Sequence, residues 1–372
     1  MIPVCEPLLD GNEERYVLDC LRSNWISSSG RYITEFEERF SSFCGARHGV
    51  ACSSGTASLH LALRALGIGL GDEVIIPCFT LIVAANMVLM TGATPVLADV
   101  DPATWCLDPR QAAARLTPRT RAIMAVHMYG HPCDMDPLLD LARRHGCAVI
   151  EDASEAHGAE YKGRKVGGLG DVACFSFYGN KIITTGEGGM VVTNREDVAA
   201  RARLLRNQAF EEPRFVHREI GFNYRLTNLQ AAIGLAQCEK IAEKVDRKRA
   251  LARDYSRLLA GAADLTLPPE APWARNVYWM YGVLLHDAFG RSRDEVMRIL
   301  REQGVETRPF FHPLHRQPSL AEHTNHGPYP VADDLGRRGL YIPSGPGLTP
   351  AQVEEVARKL LACRARGSAA RT

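Results

Sequence analysis

The stretch Val172-Ala-Cys-Phe-Ser-Phe-Tyr-Gly-Asn-Lys-Ile-Ile-Thr-Thr-Gly-Glu-Gly-Gly-Met190 decides how this 372-residue chain is read. A buried strand is expected at Val172–Phe175 and a second at Met190–Thr193, with Lys181 and a glycine-rich turn between them. Lysine is scarce here, with seven lysines among 44 basic residues, so one set among apolar and small neighbours stands out. Burial disfavours the ammonium and lowers a lysine's pKa, leaving an amine able to form a Schiff base with a carbonyl. The plainer reading is a surface lysine in a hairpin loop. Phe175, Phe177, Tyr178, Ile182 and Ile183 weigh against it.

Working outward, short β-branched runs alternate with amphipathic stretches. Strands are expected at Glu73–Ile76, Pro95–Ala98, Ala122–His127 and Ala148–Glu151, and helices at Thr56–Leu66, Pro137–His145 and Val198–Asn207. This alternation predicts an α/β unit around a mostly parallel sheet. From Asn228 to about Leu259 the pattern is that of one long, increasingly charged helix. Beyond Leu265-Thr-Leu-Pro-Pro269 the texture changes: a strand over Tyr278–Leu285, a helix over Ser292–Gln303, a strand over Val305–Phe311 and a last helix over Pro350–Ala365. The expected division is a large unit, residues 1–245, and a smaller α+β unit, residues 246–372.

Three more segments carry chemistry. In Ala51-Cys-Ser-Ser-Gly-Thr56 a short strand runs into a helix start, where backbone N–H groups and small hydroxyls can cradle a phosphate. An ordinary Ser/Thr N-cap is the alternative. In Ala148-Val-Ile-Glu-Asp-Ala-Ser-Glu-Ala-His-Gly158, Asp152 ends a strand, where α/β proteins place ligands. It reads as a metal ligand, an acid/base group, the partner of a ring nitrogen, or a helix-capping residue. Asn223 and Arg225, just before a helix beginning near Thr227, read as loop-fixing residues or as ligand contacts.

Two other patterns fail. Gly67-Ile-Gly-Leu-Gly71 follows a helix and precedes a strand, the reverse of a dinucleotide loop. His312, His315, His323 and His326 fit no zinc spacing, so no metal is expected. A phosphate cradle, a strand-end aspartate and an embedded lysine together are what a pyridoxal 5'-phosphate enzyme requires.

With 44 basic and 43 acidic residues the net charge is +1, which argues against a general nucleic-acid or membrane-surface binder. At 46% hydrophobic residues the chain can build a large core. No apolar run reaches the ~18 residues of a membrane span. Met1–Asp10 has no signal-peptide pattern, and eleven cysteines without a C-x-x-C pair suggest reduced thiols. A cytoplasmic location is expected.

The chain resembles the DegT/StrS aminotransferases, which act on nucleotide-linked ketosugars. The likeness runs from Trp25-Ile-Ser-Ser-Ser-Gly30 to Ile342-Pro-Ser344 and includes His127-Met-Tyr-Gly-His-Pro-Cys-Asp134, the Lys181 segment and Glu306-Thr-Arg-Pro-Phe-Phe-His-Pro313. The resemblance implies an aspartate-aminotransferase-like fold (PLP fold type I) and a homodimer with shared active sites. It implies pyridoxal 5'-phosphate, cycling through pyridoxamine 5'-phosphate, with L-glutamate and a nucleotide-ketosugar as substrates. Carried over, Lys181 is the Schiff-base lysine and Asp152 the ring-nitrogen partner. Ser54, Gly55, Thr56 and Ser176 bind the phosphate, Glu155 lies near the ring hydroxyl, and Asn223 reaches the phosphate in the neighbouring subunit. Arg308, His315 and Asn180 face the substrate. Relatives usually carry an aromatic residue over the ring where this chain has Leu81; either Leu81 packs there or Phe79 compensates.

The Gly179-Asn180-Lys181 run and Glu155 resemble the perosamine-type branch, which implies amination at C4 of a GDP-linked 4-keto-6-deoxymannose. A 3-keto nucleotide sugar, a ketocyclitol or a higher sugar is the alternative within the family. Dehydratase relatives have histidine in place of the lysine, and a non-catalytic regulatory protein would not need Lys181 and Asp152.

Overall fold

The computed structural model describes residues 1–325 and 327–365. Helices α1 (Glu13–Ser23) and α2 (Arg31–Phe43) precede a seven-stranded sheet. Its strands are β1 (His48–Cys52), β2 (Glu73–Pro77), β3 (Thr94–Ala98), β4 (Thr120–Val126), β5 (Ala148–Asp152), β6 (Val172–Ser176) and β7 (Gly189–Thr193). The order is β1-β7-β6-β5-β4-β2-β3. Pairings are parallel from β6 to β3, and β7 is antiparallel to both its neighbours. Six strands therefore point the same way, and their carboxyl ends share one edge. All five residues of β2 and of β7 are buried, as expected for strands covered on both faces. Helices α3 (Gly55–Ala65), α4 (Met135–His145) and α5 (Glu196–Arg206) fall where the periodicity predicts them. Gly67 and Gly71 turn the chain from α3 into β2 with φ of 78° and 88°, a left-handed region that suits glycine.

The long helix expected from Asn228 to Leu259 is two helices, α6 (Asn228–Glu239) and α7 (Ile241–Leu258), broken at Lys240, where φ is −110° and ψ 12°. No proline or glycine breaks it, so the cause is packing. Lys240 Nζ reaches the Asp10 carbonyl, and Lys244 and Arg247 reach the Asp10 carboxylate, which draws the N-terminal segment against the bend. Within α7, Ile241 and Val245 pack in the core around the large sheet, whereas Leu251, Ala252 and Tyr255 pack in a second core.

That second core lies on a four-stranded sheet of β8 (Leu265–Thr266), β9 (Tyr281–Leu285), β10 (Arg308–Pro309) and β11 (Gly339–Ile342), with α8 (Arg293–Glu302) and α9 (Pro350–Ala362). β9 starts later than the apolar run suggests, because Tyr278 has φ 49° and its N–H is taken by the Asn276 side chain. The strand expected over Val305–Phe311 pairs in the sheet only at Arg308–Pro309. It is an edge strand, and Pro309 has no N–H to extend the ladder. Val305 bridges instead to Ile2, and Ile2 packs in this second core rather than around the large sheet. No helix among the described residues is long and apolar enough to cross a membrane.

Candidate active site

The carboxyl edge of the large sheet borders a cavity of about 330 Å³. Ser54, Gly55, Thr56, Leu81, Asp152, Glu155, Ser176, Asn180 and Lys181 all line it, although they come from segments far apart in the chain. A larger open groove of about 850 Å³, lined by Glu35, Glu38, Arg39 and Glu239 among others, contains none of them.

At one end of the cavity, β1 feeds α3. Ser54 is the N-cap, and its Oγ accepts the Ala57 N–H at 3.1 Å. Its own O–H remains available to donate, so the capping and phosphate-cradle readings hold together. As first-turn residues, Gly55 and Thr56 have N–H groups without an acceptor in their own helix. Gly55 is also a steric necessity: a Cβ there would lie 2.6 Å from the Ser176 Cβ, so only glycine lets the start of α3 meet the end of β6.

Asp152 is the last residue of β5 and is buried. Its Oδ1 accepts the Ser154 N–H at 3.1 Å, which holds the turn after the strand and caps no helix. Glu155 follows on that turn, fully enclosed, with Oε2 accepting the Tyr129 N–H at 2.8 Å. Burial raises the Glu155 pKa to about 7, although the Lys181 amine and the Tyr129 N–H both pull it down. Burial lowers the Lys181 pKa, and the Glu155 and Asp152 carboxylates oppose the shift. The site thus holds an amine shifted toward losing its proton and a carboxyl shifted toward keeping one, the kind of perturbation that marks groups able to move protons.

Leu81 is half exposed on the cavity wall. Phe79 is fully buried among Tyr129, Phe310 and Phe311 and does not line the cavity, so Leu81 is the residue there. Among the described residues, the Asn180 Oδ1 is buried without a hydrogen-bond partner.

Three residues expected at the site lie outside this cavity. Asn223 is exposed on a loop, bridged to Asn207, which also receives the Arg225 guanidinium at 3.0 Å; Arg225 is loop-fixing. Arg308 is exposed and paired with Glu306 at 2.7 Å, one strand away from Tyr341 of the cavity wall. His315 does not face the cavity: its Nε2 meets Asp333 at 3.0 Å, its Nδ1 lies 3.7 Å from the Cys78 Sγ, and its ring packs on Tyr329. Its two ring nitrogens are engaged in joining the loop after β2 to the segment near residue 333. His326 lies outside the described residues.

Sequence reasoning missed Trp279, Phe311 and Tyr341, which also line the cavity. The Trp279 ring lies 3.9 Å from the Lys181 Nζ, and its Nε1–H donates to the Asn180 carbonyl at 2.8 Å. The available signal was the aromatic density of Tyr278-Trp-Met-Tyr281, which reads simply as a strand.

Residues 7–361 match the DegT/DnrJ/EryC1/StrS aminotransferase family. The GDP-perosamine synthase of Caulobacter vibrioides is 51% identical over 357 residues, 95% of this chain and 96% of that protein. The GDP-perosamine synthase of Escherichia coli O157:H7 is 44% identical, covering 95% of each chain. Among solved structures, DesV of S. venezuelae in complex with a ketimine intermediate superposes with a TM-score of 0.90 at 38% identity, covering 95% of both chains.

Proposed function

Because the chain belongs to the DegT/DnrJ/EryC1/StrS aminotransferase family and has the PLP type I fold, we propose that it moves an amino group from L-glutamate to C4 of GDP-4-keto-6-deoxymannose, forming GDP-perosamine. The observation that carries the chemistry is the Lys181 amine, half-buried on the wall of one cavity with Asp152 and the start of α3. The choice of sugar rests on the names of the relatives, 42–51% identical over nearly the whole chain.

The donor set fits pyridoxal 5'-phosphate. The α3 start and the Ser54, Thr56 and Ser176 hydroxyls would hold the phosphate, and the Asn180 Oδ1, which has no hydrogen-bond partner among the described residues, leaves a polar group for a ligand. When bound, the cofactor supplies an electron sink and, as pyridoxamine 5'-phosphate, a carrier for the nitrogen. Asp152 would hold a proton on the ring nitrogen. Glu155 would hydrogen-bond the ring hydroxyl. Lys181 would lift the proton from the glutamate α-carbon and later set a proton on the sugar carbon, and the apolar walls at Leu81, Val83, Val126 and Phe311 limit water around that amine.

In this reading the chain divides near residue 245 into a large cofactor-binding unit and a smaller one. Asn223 faces the phosphate of a second copy, Arg308 and Asn180 face the sugar nucleotide, and the enzyme is a cytoplasmic homodimer. The test is a product assay with purified protein, cofactor and glutamate, offering GDP-4-keto-6-deoxymannose, dTDP-4-keto-6-deoxyglucose and a 3-keto isomer, read by mass spectrometry and NMR. The expected product is the GDP-linked 4-amino sugar. Preference for the dTDP sugar overturns the nucleotide, and a 3-amino product overturns the position.

A further inference from the structure

Among the described residues, the Lys181 Nζ makes neither a hydrogen bond nor a direct ion pair; its closest described partner is the face of Trp279, 3.9 Å from nitrogen to ring centroid. Trp279 is held at three points. Its Nε1–H donates to the Asn180 carbonyl at 2.8 Å. Its own carbonyl accepts from the Lys248 Nζ at 2.8 Å, and Lys248, fully buried, also binds the Ser344 carbonyl. Its ring lies at 25° to Tyr129, with centroids 6.3 Å apart. Lys248 thereby ties the segment just before β9 to the segment just after β11, and the indole itself is fixed by the Asn180 carbonyl and Tyr129.

A tryptophan face attracts an ammonium through its quadrupole, and the attraction grows when water is excluded. Resting on the proposed transaminase reading, we propose that Trp279 is a catalytic residue: the platform that receives the Lys181 side chain whenever its nitrogen is not bonded to cofactor, and favours its ammonium form. A lysine that must hand a proton to a carbon needs to be protonated at that moment, and burial alone opposes this. The charged and titratable groups facing Lys181 are Asp152, Glu155 and His157 from β5 and the turn after it, and Cys5 from the N-terminal segment. The two carboxylates favour the ammonium when ionised. The Trp279 face favours it whatever their charge, so together with Asp152 it still favours the ammonium when Glu155 carries its proton.

The test uses cofactor-free protein and needs no sugar. Lys181 is acylated with trace acetic anhydride over a range of pH, and its labelling is quantified by peptide mass spectrometry against Lys162 as an internal reference. The midpoint of the labelling curve reports protonation of the Lys181 amine, while accessibility alters only the plateau. Trp279→Met is expected to lower the midpoint by about one pH unit, from the strength of a desolvated cation–π contact. Trp279→Phe should give a smaller shift. Uniform incorporation of fluorinated tryptophans weakens the ring face without changing its shape, and the midpoint should fall stepwise with the number of fluorines, whether or not the Met variant folds. A midpoint unmoved by fluorination overturns the proposal. In the intact holoenzyme, failure of glutamate to bleach the cofactor absorbance overturns the transaminase reading instead, and the labelling result stands apart from it.

Discussion

Replacing Glu155 with glutamine tests the electrostatics of the site through stability. Burial raises this carboxyl from 4.5 to about 7 in the folded protein. One pH unit corresponds to 1.36 kcal/mol, so ionised Glu155 costs the folded state up to about 3 kcal/mol. Because the folded pKa is the higher one, its contribution to stability is fully present below pH 4.5 and is lost as pH rises through about 7. Glutamine has nearly the same shape, never ionises, and its carbonyl can still accept the Tyr129 N–H. The Lys181 ammonium loses a favourable neighbour in the variant, which makes 3 kcal/mol a ceiling. Urea unfolding of cofactor-free protein at pH 5 and pH 8, at fixed protein concentration, is the assay. Glu155→Gln should be close to the parent at pH 5 and more stable by about 1–3 kcal/mol at pH 8. Parallel pH profiles for the two proteins would falsify the assignment of a raised pKa to Glu155.

Asp152→Asn should still bind cofactor but lose turnover by several orders of magnitude, since a neutral amide cannot stabilise a protonated ring nitrogen; near-normal kcat would reject that role. Leu81→Tyr should tighten cofactor binding roughly threefold to tenfold, the worth of aromatic stacking, because Phe79 is locked in its own cluster; fluorescence titration that finds no gain would point to a steric reason for leucine. Mixing Lys181→Ala with Asn223→Ala subunits, each inactive alone, should restore part of the activity in heterodimers, and no recovery after confirmed exchange argues against a shared site. His315→Ala should lower stability by about 1–3 kcal/mol through the loss of its bond to Asp333, with KM for the sugar nucleotide unchanged; a raised KM would return His315 to the substrate.

The parts of the site that were legible are those written locally. Lys181 lies in the turn between β6 and β7, Asp152 ends β5, and Ser54-Gly55-Thr56 open α3. In each case a strand end and the residues just beyond it are neighbours in the chain, so periodicity and turn chemistry place them. The break at Lys240 was not legible because neither neighbouring residue type interrupts a helix; the bend accompanies contacts with Asp10, some 230 residues away. For His315 the resemblance implies a place facing the substrate, and nothing in the residues near it announces that its ring nitrogens are engaged by Asp333 and Cys78.

The α/β alternation, the carboxyl-edge location of the aspartate and the lysine, and the family are readable along the chain, because each depends on short-range pattern. The withdrawal of Phe79 from the cavity, the burial that lets Glu155 hold a proton near neutrality, and the cover of Trp279 over the Lys181 amine emerge only when distant segments pack together. The physical reason is common to all three. Desolvation and ring contacts depend on what arrives from the other side of the cavity. Trp279 comes from the segment just before β9 and is held by Lys248 and by the Asn180 carbonyl, a backbone group that any residue at that position would offer, so no side chain next to Lys181 specifies that approach.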